Sequence, residues 1–177
     1  MSYDREEGTP EFSFVVHPSE QDERTRTYDL EANADEREAL AVRFGVIAIE
    51  RFTARLSLAR RRGAESWHLS GWVDARVIQQ CVVTLEPVEN EVRSDIEIIF
   101  IDKKQYIEEE TLYDDLSEPF EGDTLDLGEI AAEELSLALE PYPRADGVEL
   151  SDMSDTDRES LDRPNPFSVL ATLKENK

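Results

Sequence analysis

The chain has 177 residues, of which 39% are hydrophobic, and this is enough for one core but marginal for two. Its 42 acidic and 19 basic residues give a net charge of −23, which opposes the counterion release that drives most nucleic-acid binding. No apolar run reaches roughly 18 residues, and the N-terminus is charged where a signal peptide would be apolar. We therefore expect a cytosolic protein with no membrane contact and no DNA partner.

The acidic residues are distributed unevenly. Residues 1–107 contain 21 acidic and 14 basic residues, whereas residues 108–160 contain 19 acidic and only two basic residues. One interpretation of this acidic block is a solvated surface. The other is a segment that mimics phosphate contacts or docks on a basic partner, such as a ribosomal protein.

The N-terminal third predicts a strand and a helix. Alternating apolar residues indicate a short strand that a proline ends, namely Phe12, Phe14 and Val16 before Pro18. After a polar connection, Asn33 and Glu36 have the spacing of a capping box, and Gly45 is a helix-ending residue. We predict a helix over residues 34–44.

Residues 46–101 alternate between apolar and polar side chains, and short polar turns divide them into three strands. Strands of this kind predict an antiparallel meander with one buried face. The residues expected on the buried face are Phe52, Ala54, Leu56, Leu58, Trp67, Leu69, Gly71, Val73, Ala75, Val77, Val92, Ile96, Ile98 and Phe100.

The opposite face of the meander holds the candidate RNA-binding residues. They are arginines with aromatic rings between them, namely Arg51, Arg55, His68, Trp72, Arg76 and Arg93. Guanidinium groups bind phosphates and an indole stacks on a base, so this face is a candidate platform for single-stranded RNA. Two alternatives stay open: the acidic helix predicted at 126–140 covers the face, or the face is solvated with cross-strand ion pairs through Asp74, Asp95 and Glu97.

The C-terminal half predicts one more helix between polar segments. Residues 102–124 are acidic and aperiodic, which predicts a loop. Asp126 is the expected helix cap with Glu129 in the reciprocal position, and prolines end the helix after residue 140. Its apolar stripe comprises Leu127, Ile130, Ala131, Leu135, Ala138 and Leu139.

The last 33 residues, 145–177, predict a polar linker and a terminal apolar segment. Residues 145–163 are the linker, which we expect to be disordered, and residues 164–177 follow it. The candidate partner-docking residues are Asn165, Pro166 and Phe167, because proline fixes the backbone and phenylalanine offers an apolar contact. The alternative is that this segment packs back onto the domain.

Cys81 is the only cysteine of the chain and lies in a sequence, Cys81–Val88, that has the shape of a metal knuckle. A knuckle needs a second thiolate after two intervening residues, at the position where this chain has Thr84. His17 and His68 lack metal-ligand spacing, so we expect no metal. No catalytic or nucleotide-binding motif is present, and we expect neither a cofactor nor an enzymatic activity.

Three blocks in order resemble the YceD family, which is associated with accumulation of the large-subunit ribosomal RNA. The blocks are GWVDARVIQQCVVTLEP at 71–87, the segment 126–144 and the segment 165–174. Some members of that family carry Cys-x-x-Cys in the first block, and this chain resembles the branch that keeps only the first cysteine. The resemblance implies a non-enzymatic role in large-subunit ribosome biogenesis, through ribosomal RNA or a ribosomal protein. An acidic adaptor that binds a basic protein without contacting RNA is the alternative.

Together these patterns predict an α+β fold: a curved antiparallel sheet, open or rolled into an incomplete barrel, with flanking helices. One domain is expected over residues 1–144, and its oligomeric state is open.

Overall fold

The computed structural model describes residues 10–18, 24–61, 66–102, 117–120 and 122–147. In chain order the elements of these residues are β1 (Val15–Val16), β2 (Arg26–Glu31), α1 (Ala34–Phe44), β3 (Ala48–Arg60), β4 (Ser66–Gln80), β5 (Pro87–Asp102), β6 (Ser117–Phe120), β7 (Leu125–Asp126) and α2 (Leu127–Ala138).

The main sheet has five strands in the order β2-β3-β4-β5-β6. The long strands β3, β4 and β5 form the predicted antiparallel meander, and β2 pairs antiparallel with β3. The last strand, β6, runs parallel to β5. The sheet is curved but does not close into a barrel, so the predicted α+β class with a curved sheet is confirmed.

Two strands of the main sheet were not predicted. β2 lies in the segment predicted to be a polar connection. Its sequence RTYDLE has only two apolar residues and it forms an edge of the sheet, so the sequence pattern does not indicate a strand there. β6 lies inside the predicted 102–124 loop. It has four residues, includes Pro119 and pairs with a strand distant in sequence, so no local pattern indicates it.

The core lies on the inner face of the sheet, where both helices and the N-terminal segment pack. The side chains predicted to face inward on β3 and β4 are buried, apart from Gly71, which is half-buried. Helix α2 buries Leu127, Ala131 and Leu135, as predicted, and Phe12 places its ring 5.3 Å from that of Phe52. Phe14, predicted to belong to the first strand, lies outside it and is 41% exposed, because this strand begins only at Val15 and pairs with β7.

The helix caps follow the predicted pattern in one case and depart from it in the other. Asn33 and Glu36 form the capping box of α1, and Gly45 ends the helix with a left-handed φ of 66°. Asp126 caps α2 by accepting from the N–H groups of Gly128 and Glu129. The reciprocal role predicted for Glu129 is wrong.

The Glu129 carboxylate instead accepts two hydrogen bonds from Arg43 of α1, at 2.6 and 2.8 Å. Arg43 also pairs with Glu11, at 3.0 Å, so one guanidinium connects α1, α2 and the N-terminal segment. These hydrogen bonds, that with Glu129 first, raise the pKa of Arg43 against the opposing effect of burial.

Candidate binding face

The strand register places all six RNA-binding candidates on the side of the sheet that faces away from the core, which we call the outer face. Arg55 and Arg51 lie on β3, opposite Trp72 and Arg76 of β4, respectively. A register shift between Ile49 and Arg51 precedes this region. The six residues that the sequence predicts there are Arg51, Arg55, His68, Trp72, Arg76 and Arg93.

Three arginines of the outer face are already engaged by carboxylates of neighbouring strands. Arg51 forms ion pairs with Asp74 and, at 3.0 Å, with Glu91. Arg55 donates to Asp29 of the edge strand β2 at 2.5 Å. The hydrogen bond with Asp29 raises the pKa of Arg55, so its guanidinium is held as a cation beside an anion.

Arg76 and His68 repeat this arrangement. Arg76 donates to Glu91 at 2.6 and 2.7 Å and lies 3.1 Å from Glu89. The hydrogen bond with Glu91, followed by the charges of Glu91 and Glu89, raises the pKa of Arg76. His68 places its Nε2 atom 3.4 Å from Glu97.

Arg93 differs from the other arginines of the outer face. Within the described part of the chain it forms no ion pair, and its Cζ atom lies 4.9 Å from the centroid of the Trp72 ring. This is cation–π geometry. The Trp72 side chain is half-buried, so its contact with Arg93 leaves part of the indole accessible.

Among the residues that the structure describes, acidic side chains outnumber arginines on the outer face. The carboxylates that pair with the candidates or lie beside them in register are Asp29, Asp74, Glu89, Glu91, Asp95 and Glu97, against four arginines. The sequence suggested ion pairs through Asp74, Asp95 and Glu97. Asp74 does pair with Arg51, and Glu97 lies 3.4 Å from the Nε2 atom of His68. Asp29 and Glu91 were missed. Asp29 lies on an unpredicted strand, and the role of Glu91 depends on the cross-strand register.

The other alternative for this face, that the helix predicted at 126–140 covers it, is wrong. Helix α2 packs on the inner face, where Glu134 accepts a hydrogen bond of 2.6 Å from Ser94. Ser94 pairs with Val73, one of the core residues, and therefore points away from the outer face. Helix α2 thus leaves the outer face uncovered.

Cys81 is buried in the turn between β4 and β5. Its sulfur accepts from the N–H groups of Thr84 and Ala145, both at 3.4 Å. The Thr84 hydroxyl, followed by these N–H groups, lowers the pKa of Cys81 to about 6, although burial disfavours the thiolate. The turn is thereby fastened to the segment after α2, since Val82 also donates to the Pro143 carbonyl at 2.9 Å.

No group of three or more potential metal-ligating side chains occurs among the residues that the structure describes. None of the described helices is long and apolar enough to cross a membrane. The partner-docking candidates Asn165, Pro166 and Phe167 lie outside the described residues, as do residues 148–163 of the predicted linker.

Comparison with protein families gives one match, which covers residues 69–174, more than half of the chain. The matching family is described as large ribosomal RNA subunit accumulation protein YceD. The chain belongs to the YceD family. This confirms the resemblance seen in the sequence and gives the protein a role in accumulation of the large-subunit ribosomal RNA. The comparison with curated proteins gives no significant match, and neither does the comparison with solved structures.

The matched region of this YceD chain begins within β4 and therefore contains Trp72, Arg76 and Arg93 but not Arg51 or Arg55. It also contains the Cys81 turn, helix α2 and most of the C-terminal segment. The family description names the accumulation of an RNA and no chemical reaction.

Proposed function

We propose that this YceD protein acts in the cytosol as a non-enzymatic factor in the biogenesis of the large ribosomal subunit, and that it binds a basic protein of that subunit. The outer face is the proposed binding surface. The family match supports the general role, and the geometry of the outer face supports the choice of partner.

The observation that carries this proposal is the pairing of the outer-face arginines with carboxylates. Binding to a nucleic acid is driven by unpaired basic groups that displace counterions from phosphates. Arg51, Arg55 and Arg76 already have carboxylate partners, and RNA phosphates would have to displace them. Since the face carries more acidic than basic side chains, it attracts a cationic surface more strongly than an anionic one.

Trp72 adds a large aromatic side chain to this charged face. An aromatic side chain near the centre of an interface contributes a large apolar contact, and interface residues of this type often dominate the binding energy. Exposed carboxylates around it, such as Asp95 and Glu97, would pair with lysine or arginine of the partner. The face thus combines an aromatic centre with a charged rim.

Direct binding of ribosomal RNA is the second candidate, and the Arg93–Trp72 pair is the observation that favours it. Arg93 has no carboxylate partner among the described residues, and an indole can stack on a base. Such binding would be local to this pair. It would depend most on Trp72 and Arg93, and negative charge added to the strands beside this pair would oppose it.

The test is a binding assay with the full-length protein and two separate probes, the purified proteins of the large subunit and protein-free ribosomal RNA. The test variant is Asp95→Lys with Glu97→Lys, and the control, with the same change in net charge, is Glu38→Lys with Asp146→Lys. We expect the test variant to weaken binding of a basic protein roughly tenfold or more, because it places like charges in the interface. Equal effects of the two variants, or binding to RNA alone in the wild type, would contradict the proposal.

A further inference from the structure

An apolar groove lies at the end of the molecule where α1 and α2 both terminate, and we call it the end groove. It has a volume of about 520 Å³. Its walls come from the end of α1, the end of β4 and the segment from α2 to Pro143, and include Phe44, Val46, Gln79, Leu137, Leu139 and Pro143. A second depression of about 340 Å³ shares Val46 and continues along α1.

Exposed large hydrophobic side chains are concentrated around this end of the molecule. Leu137 is 83% exposed, Val42 on α1 is 79% exposed and Tyr142, beside the wall residue Pro143, is 68% exposed. Ile47 lines the second depression and is also exposed. Exposed apolar side chains grouped in this way indicate a site that another apolar group covers.

The polar groups at the floor of the end groove are already satisfied. The Gln79 side chain donates to the Glu140 carbonyl and accepts from Asn90, both at 2.9 Å. No buried side-chain nitrogen or oxygen of the described residues lacks a hydrogen-bond partner. An occupant of the groove would therefore find no unsatisfied buried side-chain group to bind there, and apolar side chains such as Leu139 offer it apolar contacts.

We propose that the chain's own residues 165–173 occupy the end groove, with Phe167, Leu170 and Leu173 as the side chains that enter it. These residues belong to the sequence NPFSVLATL, which is the apolar part of the C-terminal region. This inference is independent of the outer face and goes beyond the proposed function.

The path of the chain supports this occupant. The described chain ends at Gly147, four residues after Pro143 of the groove wall, and the hydrogen bonds of Pro143 and Ala145 with the Cys81 turn fix its exit beside the groove. Phe167 lies 20 residues beyond Gly147. An extended chain of this length spans roughly 65 Å, so the segment can return to the groove without strain.

Charge also favours this segment. Helix α2 has no basic residue in its last turn, and Glu140 lines the groove directly after it, so this end of the helix carries negative charge. The apolar segment is followed by Lys174, Glu175 and Lys177, whose side chains together carry one positive charge. A second copy of the chain is a weaker candidate, because two molecules with a net charge of −23 repel each other.

A tethered segment needs little intrinsic affinity. A linker of this length gives an effective concentration near the millimolar range, so even weak apolar contacts keep the groove filled.

The test uses hydrogen exchange of the full-length protein, with peptides from residues 136–143 as the readout. The variants are Phe167→Ala and, on the groove side, Leu137→Asp, which changes an exposed residue and leaves the core intact. The controls are Leu161→Ala in the same C-terminal region and Ser70→Asp on the outer face. We expect roughly tenfold faster exchange of the groove peptides in both test variants and no change in the controls.

The two test variants should not be additive, because each empties the same groove. Unchanged exchange in Phe167→Ala would overturn the proposal, and so would additive effects of the two variants. Protection of the groove peptides that disappears on dilution would assign the groove to a second copy of the chain and would also overturn the proposal. Protection that requires an added large-subunit protein would assign the groove to that partner, with the same consequence.

Discussion

Arg93 lies across the indole of Trp72, with its Cζ atom 4.9 Å from the ring centroid, on an outer face whose other arginines are paired with carboxylates. This contact keeps one guanidinium away from the acidic side chains around it. It also holds the indole in a defined orientation, since a cation–π contact restricts the rotation of both side chains. Trp72 and Arg93 are therefore the residues of this face best prepared to contact a partner.

Trp72→Ala should reduce binding of the large-subunit partner by at least tenfold while leaving the fold intact. Truncation of a central interface aromatic typically costs about 2 kcal/mol or more of binding free energy. Trp72 lies on the outer face and contributes nothing to the buried core, so thermal stability should change little. Binding is measured by calorimetry and stability by thermal unfolding, with Ser70→Ala on the same strand and face as the control. Wild-type affinity in Trp72→Ala would remove Trp72 from the interface.

Charge reversal separates the two candidate partners. Arg55→Glu combined with Arg76→Glu places new carboxylates beside Asp29 and Glu91 and makes the outer face more negative. If RNA binds this face, the variant should lose measurable affinity for ribosomal RNA fragments. If a basic protein binds it, affinity for that protein should be retained or increased. RNA affinity that is unchanged by the double variant would exclude the outer face as an RNA site.

Gly71→Ala should be among the most damaging single changes in the sheet. A Cβ atom at position 71 would lie 2.0 Å from the Arg55 carbonyl oxygen and 2.9 Å from the Leu56 Cα, and both neighbours are backbone atoms that cannot move independently. We expect a loss of roughly 3 kcal/mol or more in the free energy of unfolding, measured by urea titration. Ser70→Ala is the neighbouring control and should lie within about 0.5 kcal/mol of the wild type.

Arg43→Ala should destabilise the protein by about 1 kcal/mol, because it removes ion pairs to Glu129 and Glu11 that are only partly shielded from solvent. The free energy of unfolding is again measured by urea titration. Glu38→Ala, a change on the same helix, is the matched control. A loss that disappears at high salt would support the ion pairs, and a salt-independent loss would indicate packing of the arginine stem instead.

Cys81 should make stability depend on pH. Its pKa is lowered to about 6 in the folded protein, whereas a free thiol has a pKa of about 8.5. As the pH rises, the folded state therefore releases the thiol proton at a lower pH than the unfolded state does. Between the two pKa values the unfolded state binds more protons than the folded state. Stability from this group is fully present above the unfolded pKa and is lost as the pH falls through 6.

The measurement compares wild type and Cys81→Ser under reducing conditions at several pH values from 5 to 9. The difference between their free energies of unfolding should grow as the pH rises from about 6 to about 8.5. Parallel pH profiles would show that Cys81 remains a neutral thiol in the folded protein.

The local parts of the fold could be predicted because their signals are local. The capping box of Asn33 and Glu36, the left-handed Gly45 and the alternation of β3 and β4 each depend on a few neighbouring residues. The structure confirms the helix at 34–44 and the inward set of residues on the meander. The strand β6 could not be predicted, because it is stabilised by pairing with β5 across an intervening segment.

The candidate binding face was predicted in its position but not in its electrostatics. Parity along a strand tells which side Arg55 and Arg76 occupy, and the structure agrees. Which carboxylate each arginine meets depends on the register between strands, and Asp29 belongs to an edge strand that the sequence pattern does not indicate. This difference is the reason for proposing a basic protein as the partner, whereas the sequence leaves ribosomal RNA and a ribosomal protein both open.

The central claim is that the outer face contacts a basic protein of the large ribosomal subunit, and crosslinking in cells tests it most directly. A photoreactive residue at position 70, beside Trp72 on the outer face, is compared with one at position 38 on α1. The proposed function predicts that position 70 captures a basic large-subunit protein and that position 38 does not. Capture of ribosomal RNA alone from position 70, or the same products from both positions, would contradict it.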